Sequence, residues 1–333
     1  MTAVPESFTA FRIHERDGAI HSEFETLRPD DLSAGDVFVA VSHSSINYKD
    51  ALAATGKGRI LRRFPLVGGI DLAGTVLESA DARFVPGQPV LVTGCGLSET
   101  LDGGYSEVAR VPADAVVPMP AGFDAASAMA VGTAGFSAAL AIDKLERNGL
   151  APGDGEILVT GASGGVGSLA VDMLATRGYS VTAVTGRVQL GDYLRAIGAR
   201  EILARDALAA AGPALAGARW AGAIDNLGGR VLDRILAGLR PGASVCSIGL
   251  AASAELATTV MPFILRGVNL LGVNSSGAAP PLRHRIWQRI AGDLRPRHLQ
   301  HIVARTVPFR ELPAAFASFM QGRAQGRTVV RIA

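Results

Sequence analysis

The chain contains few cysteines, few aromatic residues and no excess of either charge. Its 333 residues include two cysteines, Cys95 and Cys246, which lie far apart and form no CxxC or Cys/His cluster. A disulfide framework and a structural zinc site are therefore not expected, and a reducing, cytoplasmic setting fits. The formal net charge is only +2. A chain this close to neutrality is not expected to have nucleic acid or a membrane surface as its main partner.

Long apolar runs are also scarce. No segment of 18 residues is apolar throughout, and the first residues show no basic patch followed by an apolar run. We therefore expect neither a membrane span nor a signal peptide. Glycine, by contrast, is abundant. The 40 glycines indicate many tight turns and close approaches between backbone segments.

The first third of the chain is typical of short β-strands separated by turns. DVFVAVSHSSI and QPVLVTG alternate or run apolar, with glycine and proline between them. From Asp124 onwards strands alternate with helices, as in GEILVTGA, GGVGSLAVDMLATRG and YSVTAVTG. This order predicts an α/β fold, with a β-rich domain followed by a doubly wound parallel sheet of the Rossmann type.

A glycine-rich turn, ILVTGASGGVGSLAV, joins the first strand of this alternation to its helix. Gly164 and Gly165 would let the backbone approach a pyrophosphate, and Gly167 would let the helix pack closely on the strand. The phosphates would bind free amides at the helix N-terminus. The turn therefore predicts a dinucleotide site formed by Ser163, Gly164, Gly165, Val166 and Gly167.

The tip of the next strand, VTAVTGR, lacks the acidic residue that often binds the ribose of NAD. Thr185, Gly186 and Arg187 occupy that window instead. A carboxylate there would repel a 2′-phosphate, whereas a hydroxyl, a glycine amide and a guanidinium suit it. The strand tip therefore predicts NADPH as the cofactor; the alternative is that Arg187 is a solvated surface residue.

The domain order resembles that of the medium-chain dehydrogenase/reductase superfamily. SSINYKDALAATGKG, GGIDLAGTV, VTGASGGVGS and MPFILRGVNLLGVNS are similar to its zinc-free quinone-oxidoreductase branch, and more narrowly to bacterial acrylyl-CoA reductases that use NADPH. The resemblance implies a GroES-like catalytic domain over residues 1–123 and 275–333 and a Rossmann domain over residues 124–274. It also implies a homodimer.

The same resemblance implies a reaction: NADPH-dependent reduction of the activated C=C bond of acrylyl-CoA to propionyl-CoA, with hydride transfer to the β-carbon. Two alternatives remain open, reduction of a quinone or small enone, and an NADPH-binding sensor without turnover. No metal is expected. Asn47 stands where zinc-dependent relatives have a cysteine, and the second ligand segment reads GID at Gly69–Asp71, so the three or four ligands that zinc needs are missing.

The segment SINYKD supplies the predicted catalytic residues, Tyr48 and Asn47, as donors to the thioester oxygen. Tyr48 is also expected beside the nicotinamide, and Lys49 and Asp50 are expected to pair. The remaining cofactor contacts that the resemblance implies are Thr133, Arg205, Leu250, Asn274, Ser275 and Arg327, with Arg327 reaching the pyrophosphate.

A basic run, GKGRILRRFP, follows closely. Coenzyme A carries a diphosphate and a 3′-phosphate, so cations beside the site would suit it. We therefore predict that Arg59, Arg62 and Arg63 bind the substrate, an acyl-CoA. The alternative is a solvated basic loop.

Overall fold

The computed structural model describes residues 3–333. Its strands are β1 (Phe8–Arg16), β2 (Ala19–Leu27), β3 (Val37–Ile46), β4 (Leu66–Val67), β5 (Asp71–Ser79), β6 (Pro89–Thr93), β7 (Val108–Val111), β8 (Val117–Pro118), β9 (Glu156–Thr160), β10 (Ser180–Thr185), β11 (Glu201–Ala204), β12 (Trp220–Asp225), β13 (Leu239–Ser247), β14 (Asn269–Gly272), β15 (Val303–Pro308) and β16 (Arg327–Arg331). Its helices are α1 (Tyr48–Thr55), α2 (Ala125–Arg147), α3 (Gly165–Thr176), α4 (Gly191–Ala196), α5 (Gly229–Gly238), α6 (Met261–Arg266), α7 (Pro280–Ala291), α8 (Leu299–Ile302) and α9 (Leu312–Met320).

The first compact unit, unit 1, comprises the chain up to Thr133 together with Ser276–Ala291 and Val303–Ala333. One sheet has the order β15-β16-β3-β5-β6-β8, with β7 also pairing with β3, and a smaller one has the order β2-β1-β4. Alternate side chains of β3 point into the core, where Val37, Val39 and Val41 are buried. This period-two burial confirms the predicted β-rich domain.

The second compact unit, unit 2, comprises Ala134–Ser275 and Gly292–Ile302. Its six strands are parallel neighbours in the order β11-β10-β9-β12-β13-β14. The strand order reverses direction between β9 and β12, which is where such sheets bind their ligands, beyond the carboxyl ends of the strands. The predicted doubly wound parallel sheet is confirmed.

Apart from Ser275, which belongs to unit 2, the compact units differ from the predicted domain bounds in two segments. Residues 124–133 pack with unit 1, because Gly132 interrupts α2 with φ 51° and ψ −159° and Thr133 then bonds to Asp71. Residues 292–302 pack with unit 2, because the buried carboxylate of Asp172 on α3 accepts hydrogen bonds from the backbone amide and ring Nδ1 of His298, at 3.1 and 2.8 Å.

Helix α2 also differs from expectation in its composition. It is long and apolar enough to cross a membrane when judged by those two properties alone. However, 78% of its apolar window is buried among other residues of the protein. This burial is what the core helix of a globular domain shows, since such a helix is apolar on every side.

Candidate functional site

The glycine turn of unit 2 is tight, and three of its positions leave little or no room for a side chain or have a backbone conformation that favours glycine. Gly161 has φ +58°, in the left-handed region. A Cβ added to Gly167 would lie 2.3 Å from the carbonyl oxygen of Gly161 and 2.6 Å from the Cα of Ala162. A Cβ added to Gly164 would lie 3.3 Å from the same oxygen. Helix α3 can therefore start directly against the end of β9 only because these residues are glycines.

The N-terminus of α3 presents its amides without a side-chain cap. Gly164 is the N-cap, and it makes no side-chain hydrogen bond. The first N–H groups of a helix lack intrahelical acceptors, and the helix dipole favours an anion beside them. A pyrophosphate is the kind of group that this end of the helix binds.

Arg187 lies over this turn. Its Nη2 donates hydrogen bonds to the Oγ and carbonyl oxygen of Ser163, at 2.9 and 3.3 Å, and its amide donates to the Oγ1 of Thr185 at 3.0 Å. Burial lowers the pKa of the Arg187 guanidinium from its ordinary value, although an arginine remains cationic at neutral pH. The strand tip and the glycine turn thus converge on one positive charge.

Arg205 brings a second guanidinium to the same place. It follows β11, the neighbour of β10 in the sheet. A Cβ on Gly186 would lie 3.4 Å from the Cζ of Arg205, so the guanidinium packs directly on that glycine. Its Nε lies 3.8 Å from Asp206, an exposed pair of little strength. Arg205 therefore lies against Gly186, the residue that precedes Arg187, and adds a second cation at the tip of β10.

The other predicted cofactor residues of unit 2 follow the neighbouring strands at the same edge of the sheet. Leu250 comes after β13 and is exposed, and Asn274 and Ser275 come after β14. Sequence reasoning missed Asn226 at the end of β12. Its Nδ2 donates to the carbonyl oxygen of Thr160 at 2.7 Å, which braces the glycine turn from the side opposite Arg187. Its only sequence signal was its place after a strand.

In unit 1 a buried carboxylate, Asp71, organises the region around the predicted catalytic segment. Its Oδ2 accepts hydrogen bonds from Ser45 Oγ at 2.6 Å and from Asn47 Nδ2 at 2.8 Å. Thr133 donates to it through its amide, at 3.0 Å, and through its hydroxyl, at 2.5 Å. Asp71, at the start of β5, therefore holds the side chains of Ser45, Asn47 and Thr133 in place.

Arg327 completes this network. Its side chain is 2% exposed, and its guanidinium lies 3.9 Å from Asp71. Its donors bond, within 2.7–3.3 Å, to Ser45 Oγ, Asn47 Oδ1 and the carbonyl oxygens of Ile46, Met129 and Ala130. An arginine has five N–H donors, and all five donors of Arg327 bond to residues of unit 1. These contacts do not support the predicted contact between Arg327 and a pyrophosphate, which stays a prediction.

The two predicted catalytic residues have different surroundings. Asn47 donates its amide hydrogens to Asp50 and Asp71, at 3.1 and 2.8 Å, so neither is left for a thioester oxygen. These contacts do not support the predicted role of Asn47 as a substrate donor, which stays a prediction. Tyr48, the first residue of α1, is 53% exposed. Lys49 does not pair with Asp50 as predicted; it forms an ion pair with Glu99.

The basic run borders an open pocket of about 410 Å³ in unit 1, lined by Lys49, Arg59, Ile60, Leu61, Arg62 and Glu99. Arg63 is turned to a structural contact, since its Nε donates to the carbonyl oxygen of Thr100 at 2.7 Å and its Nη2 donates to Ser33. Arg59 and Arg62 therefore stay beside the pocket, whereas the predicted substrate role of Arg63 is not supported by its contacts.

Comparison with known proteins gives this arrangement a context. Two family models match, the alcohol dehydrogenase GroES-like domain over residues 33–121 and the zinc-binding dehydrogenase over residues 165–290. The chain is also 47% identical over 319 residues to the acrylyl-CoA reductase AcuI of Ruegeria pomeroyi, covering 96% of each protein. The chain belongs to the medium-chain dehydrogenase/reductase family.

Solved members of the medium-chain dehydrogenase/reductase family share its whole fold. The YhdH oxidoreductase of Salmonella enterica, in complex with NADP, matches with a TM-score of 0.94 and 46% identity over 98% of this chain and 100% of that one. The Bacillus subtilis protein YhfP, solved with NAD bound, matches with a TM-score of 0.96 and 42% identity over the same shares. YhfP is named as a candidate quinone oxidoreductase.

Zinc, which one of the family models names, does not fit this medium-chain dehydrogenase/reductase at the expected place. Asn47 and Asp71 fill the two ligand slots, and both already bond to the buried network of Arg327. Neither a thiolate nor an imidazole is supplied by these slots, and the guanidinium already provides the positive charge that a metal would bring. Asn47 and Asp71 therefore serve the buried network and do not form a zinc site.

Another group, His14, Glu23 and Glu25, places its ligand atoms within 4.8 Å of one another. Arg12 and Arg16 already form ion pairs with these carboxylates, at 3.4 and 2.7 Å. The group is on the β1–β2 hairpin, away from the Asp71 network in the sheet order. It is accounted for as a surface charge cluster, in which paired carboxylates are ordinary.

Proposed function

We propose that the protein is an NADPH-dependent reductase that converts acrylyl-CoA to propionyl-CoA. The observation that carries the cofactor assignment is the pair of guanidiniums at the tip of β10, that of Arg187 on Ser163 and that of Arg205 against Gly186. A 2′-phosphate on the adenosine ribose would be held by both cations and by the hydroxyl of Thr185. The NADP complex of the Salmonella relative and the name of the Ruegeria relative support this reading.

NADPH, when bound, supplies the hydride that goes to the β-carbon of the acceptor. The residues of this chain bind and orient the cofactor and the substrate, and they polarise the thioester. The glycine turn, Ser163–Gly167, holds the pyrophosphate at the N-terminus of α3. Tyr48, exposed on the first turn of α1, donates a hydrogen bond to the thioester oxygen, where negative charge builds as the hydride arrives. Thr133, Leu250, Asn274 and Ser275 are proposed to border the nicotinamide.

Transfer of deuterium tests this function directly. With NADPH deuterated at C4 on the transferred side, propionyl-CoA should carry the label at its β-carbon. Its α-carbon should take the solvent proton, as hydride addition to an activated double bond requires. Consumption of NADPH by quinones alone, with no propionyl-CoA formed, would instead support a quinone reductase, the function that the name of the Bacillus relative favours. Binding of NADPH without turnover would support a sensor.

The pocket beside Arg59 and Arg62 is proposed to receive the phosphates of coenzyme A. Both arginines are exposed there, and Glu99, which also lines the pocket, forms an ion pair with Lys49. The lining therefore presents a net positive charge to an anionic substrate. Exposed cations next to a site raise the local concentration of such a substrate and hold it by charge-assisted hydrogen bonds.

Reversal of both charges, Arg59→Glu with Arg62→Glu, is expected to raise KM for acrylyl-CoA at least tenfold at low salt, since two attractions become repulsions. The kinetics with a small uncharged enone should stay within about twofold, because it carries no phosphate. Lys57→Glu, a reversal on the same segment outside the pocket, is the matched control and should change KM for acrylyl-CoA little. An equal rise in KM for both substrates would show that these arginines support the fold and do not recognise the substrate.

A homodimer is proposed, with β14 as the contact strand. This strand ends the parallel sheet, so one row of its backbone groups has no partner strand within unit 2. Exposed apolar side chains lie on it and on α6, among them Leu270, Ile264 and Leu265. Sedimentation should return twice the mass of one chain, and Leu270→Lys should shift it towards the monomer. A reducing, cytoplasmic setting is also proposed, supported by the free thiols of Cys95 and Cys246.

A further inference from the structure

Two carboxyl groups meet in the core of unit 1, directly beneath the turn that carries Tyr48. Asp50 is 1% exposed and Asp71 is fully buried. A single amide group, Nδ2 of Asn47, donates to both of them, at 3.1 Å to Asp50 Oδ2 and 2.8 Å to Asp71 Oδ2. Two carboxylates that share one donor in a dry interior repel each other strongly, because the local dielectric constant is low.

The donors around the pair are distributed unevenly. Asp71 accepts from Ser45 and from two groups of Thr133 besides Asn47, and the guanidinium of Arg327 lies 3.9 Å away. These donors compensate a negative charge on Asp71. Besides Asn47 Nδ2, Asp50 accepts from the backbone amides of Asn47 and Ile70, at 2.8 and 2.9 Å, and it interacts with the neutral phenol of Tyr105. No cation is within ion-pair distance of Asp50 among residues 3–333.

The charged and titratable groups facing the pair do not neutralise it. Arg327 is shared by both carboxyls, Arg283 acts on Asp71, and Tyr105 acts on both. Burial and the neighbouring carboxylates raise the pKa of Tyr105 well above its ordinary value, so it remains a neutral phenol that donates to the carbonyl oxygen of Ser45. With both carboxyls ionised, both guanidiniums would act on Asp71, whereas Asp50 would have only a share of Arg327.

We propose that Asp50 and Asp71 hold one proton between them, that Asp50 carries it, and that Asp50 is thereby a positioning residue for Tyr48. When the proton leaves, the repulsion is relieved by moving the carboxyl that is less firmly held. Asp71 is fixed in β5 by its donors, whereas Asp50 belongs to the first turn of α1 together with Tyr48. Burial and the charge of Asp71 raise the pKa of Asp50 to about 7, which places this event near neutral pH.

Infrared titration of the full protein measures the proton directly and requires no turnover. Wild type should show a protonated-carboxyl band at pH 5 that disappears with a midpoint near pH 7. Asp50→Asn should remove this transition, and Asp71→Asn should move it to lower pH, because the repelling charge is gone. Asp102→Asn is the matched control and should keep it: Asp102 is buried in the same unit and accepts two backbone amides, from Ser33 and Val67, at 2.7 Å.

Stability gives a second readout with a defined sign. The pKa of Asp50 lies above its ordinary value of 3.8 in the folded state, so the folded protein binds the extra proton between pH 3.8 and about 7. The contribution of Asp50 to Tm should therefore fall as the pH rises through this window. Asp50→Asn should show a flatter dependence than wild type. A transition that persists in Asp50→Asn, or a wild type without one, would overturn the proposal.

The expected effect of this proton on turnover rests on the proposed function. With acrylyl-CoA, kcat should fall about tenfold per pH unit above the midpoint found by infrared, with little change in KM. Tyr48→Phe should lower kcat and abolish this pH dependence, since the proton acts through Tyr48. A pH profile retained in Tyr48→Phe would contradict the positioning role. Absence of any acrylyl-CoA turnover would refute the proposed function instead, while the infrared result would still decide where the proton resides.

Discussion

Replacing Arg187 with glutamate is expected to weaken NADPH binding by about 3 kcal/mol, a little over 100-fold, and to change NADH binding less than about threefold. At the tip of β10, where the 2′-phosphate of NADPH would sit, the backbone amide of Arg187 donates to Thr185 Oγ1 and its guanidinium donates to Ser163 Oγ. Glutamate removes a charge-assisted hydrogen bond and adds repulsion against the phosphate. NADH has a hydroxyl at that position, which a carboxylate accepts readily. Titration of each reduced cofactor by fluorescence measures both affinities.

The matched control for this variant is Arg200→Glu. Arg200 precedes β11, at the opposite end of the sheet from Arg187. Arg200→Glu therefore makes the same change in net charge, but away from the carboxyl ends of the strands. It should leave the ratio of NADPH to NADH affinity as in wild type. Equal losses for both cofactors in Arg187→Glu would show that Arg187 serves to brace Ser163 and the glycine turn rather than to select the phosphate.

Replacing Gly167 with alanine is expected to lower Tm by roughly 6–12 °C and to weaken NADPH and NADH binding alike. The added Cβ would lie 2.3 Å from the carbonyl oxygen of Gly161, a backbone atom that cannot rotate away. Overpacking of this kind costs about 3 kcal/mol, and that cost corresponds to the stated Tm range for a domain of this size. Separation of α3 from the turn would also move the amides that bind the pyrophosphate.

Gly217→Ala is the control for this variant. A Cβ at Gly217 meets no atom within 4 Å, and its φ is not in the left-handed region. It should therefore leave Tm within about 1 °C and both affinities unchanged. If Gly167→Ala bound both cofactors as wild type does, the close approach of α3 to β9 would not be what forms the dinucleotide site.

The cofactor side of the site was predictable because its signals are local. The glycine turn, its strand and its helix lie within about twenty residues, and the structure gives a steric reason for a glycine at position 167, the 2.3 Å approach of an added Cβ to Gly161. The strand tip at Thr185–Arg187 is similarly short. What the sequence did not disclose was that Arg187 also donates to Ser163, a bond that forms only once β10 lies beside β9.

The catalytic side was predicted less well because its contacts join distant parts of the chain. Asn47 and Arg327 are 280 residues apart, and Asp71 bonds to Thr133 across 62. Neither hydrophobic periodicity nor residue spacing reveals contacts between residues so far apart in sequence. Asn47 therefore read as a substrate donor and Arg327 as a phosphate ligand, although both are committed to a buried carboxylate. The segment of residues 292–302 was misplaced for the same reason, since Asp172 and His298 are far apart in sequence.

One steady-state comparison decides whether the protein reduces acrylyl-CoA with NADPH. It compares kcat/KM for acrylyl-CoA with NADPH, for acrylyl-CoA with NADH, and for a panel of quinones with NADPH. The value of kcat/KM for acrylyl-CoA with NADPH should exceed each of the others by at least tenfold. A higher kcat/KM for any quinone, or equal values with NADH and NADPH, would contradict this prediction.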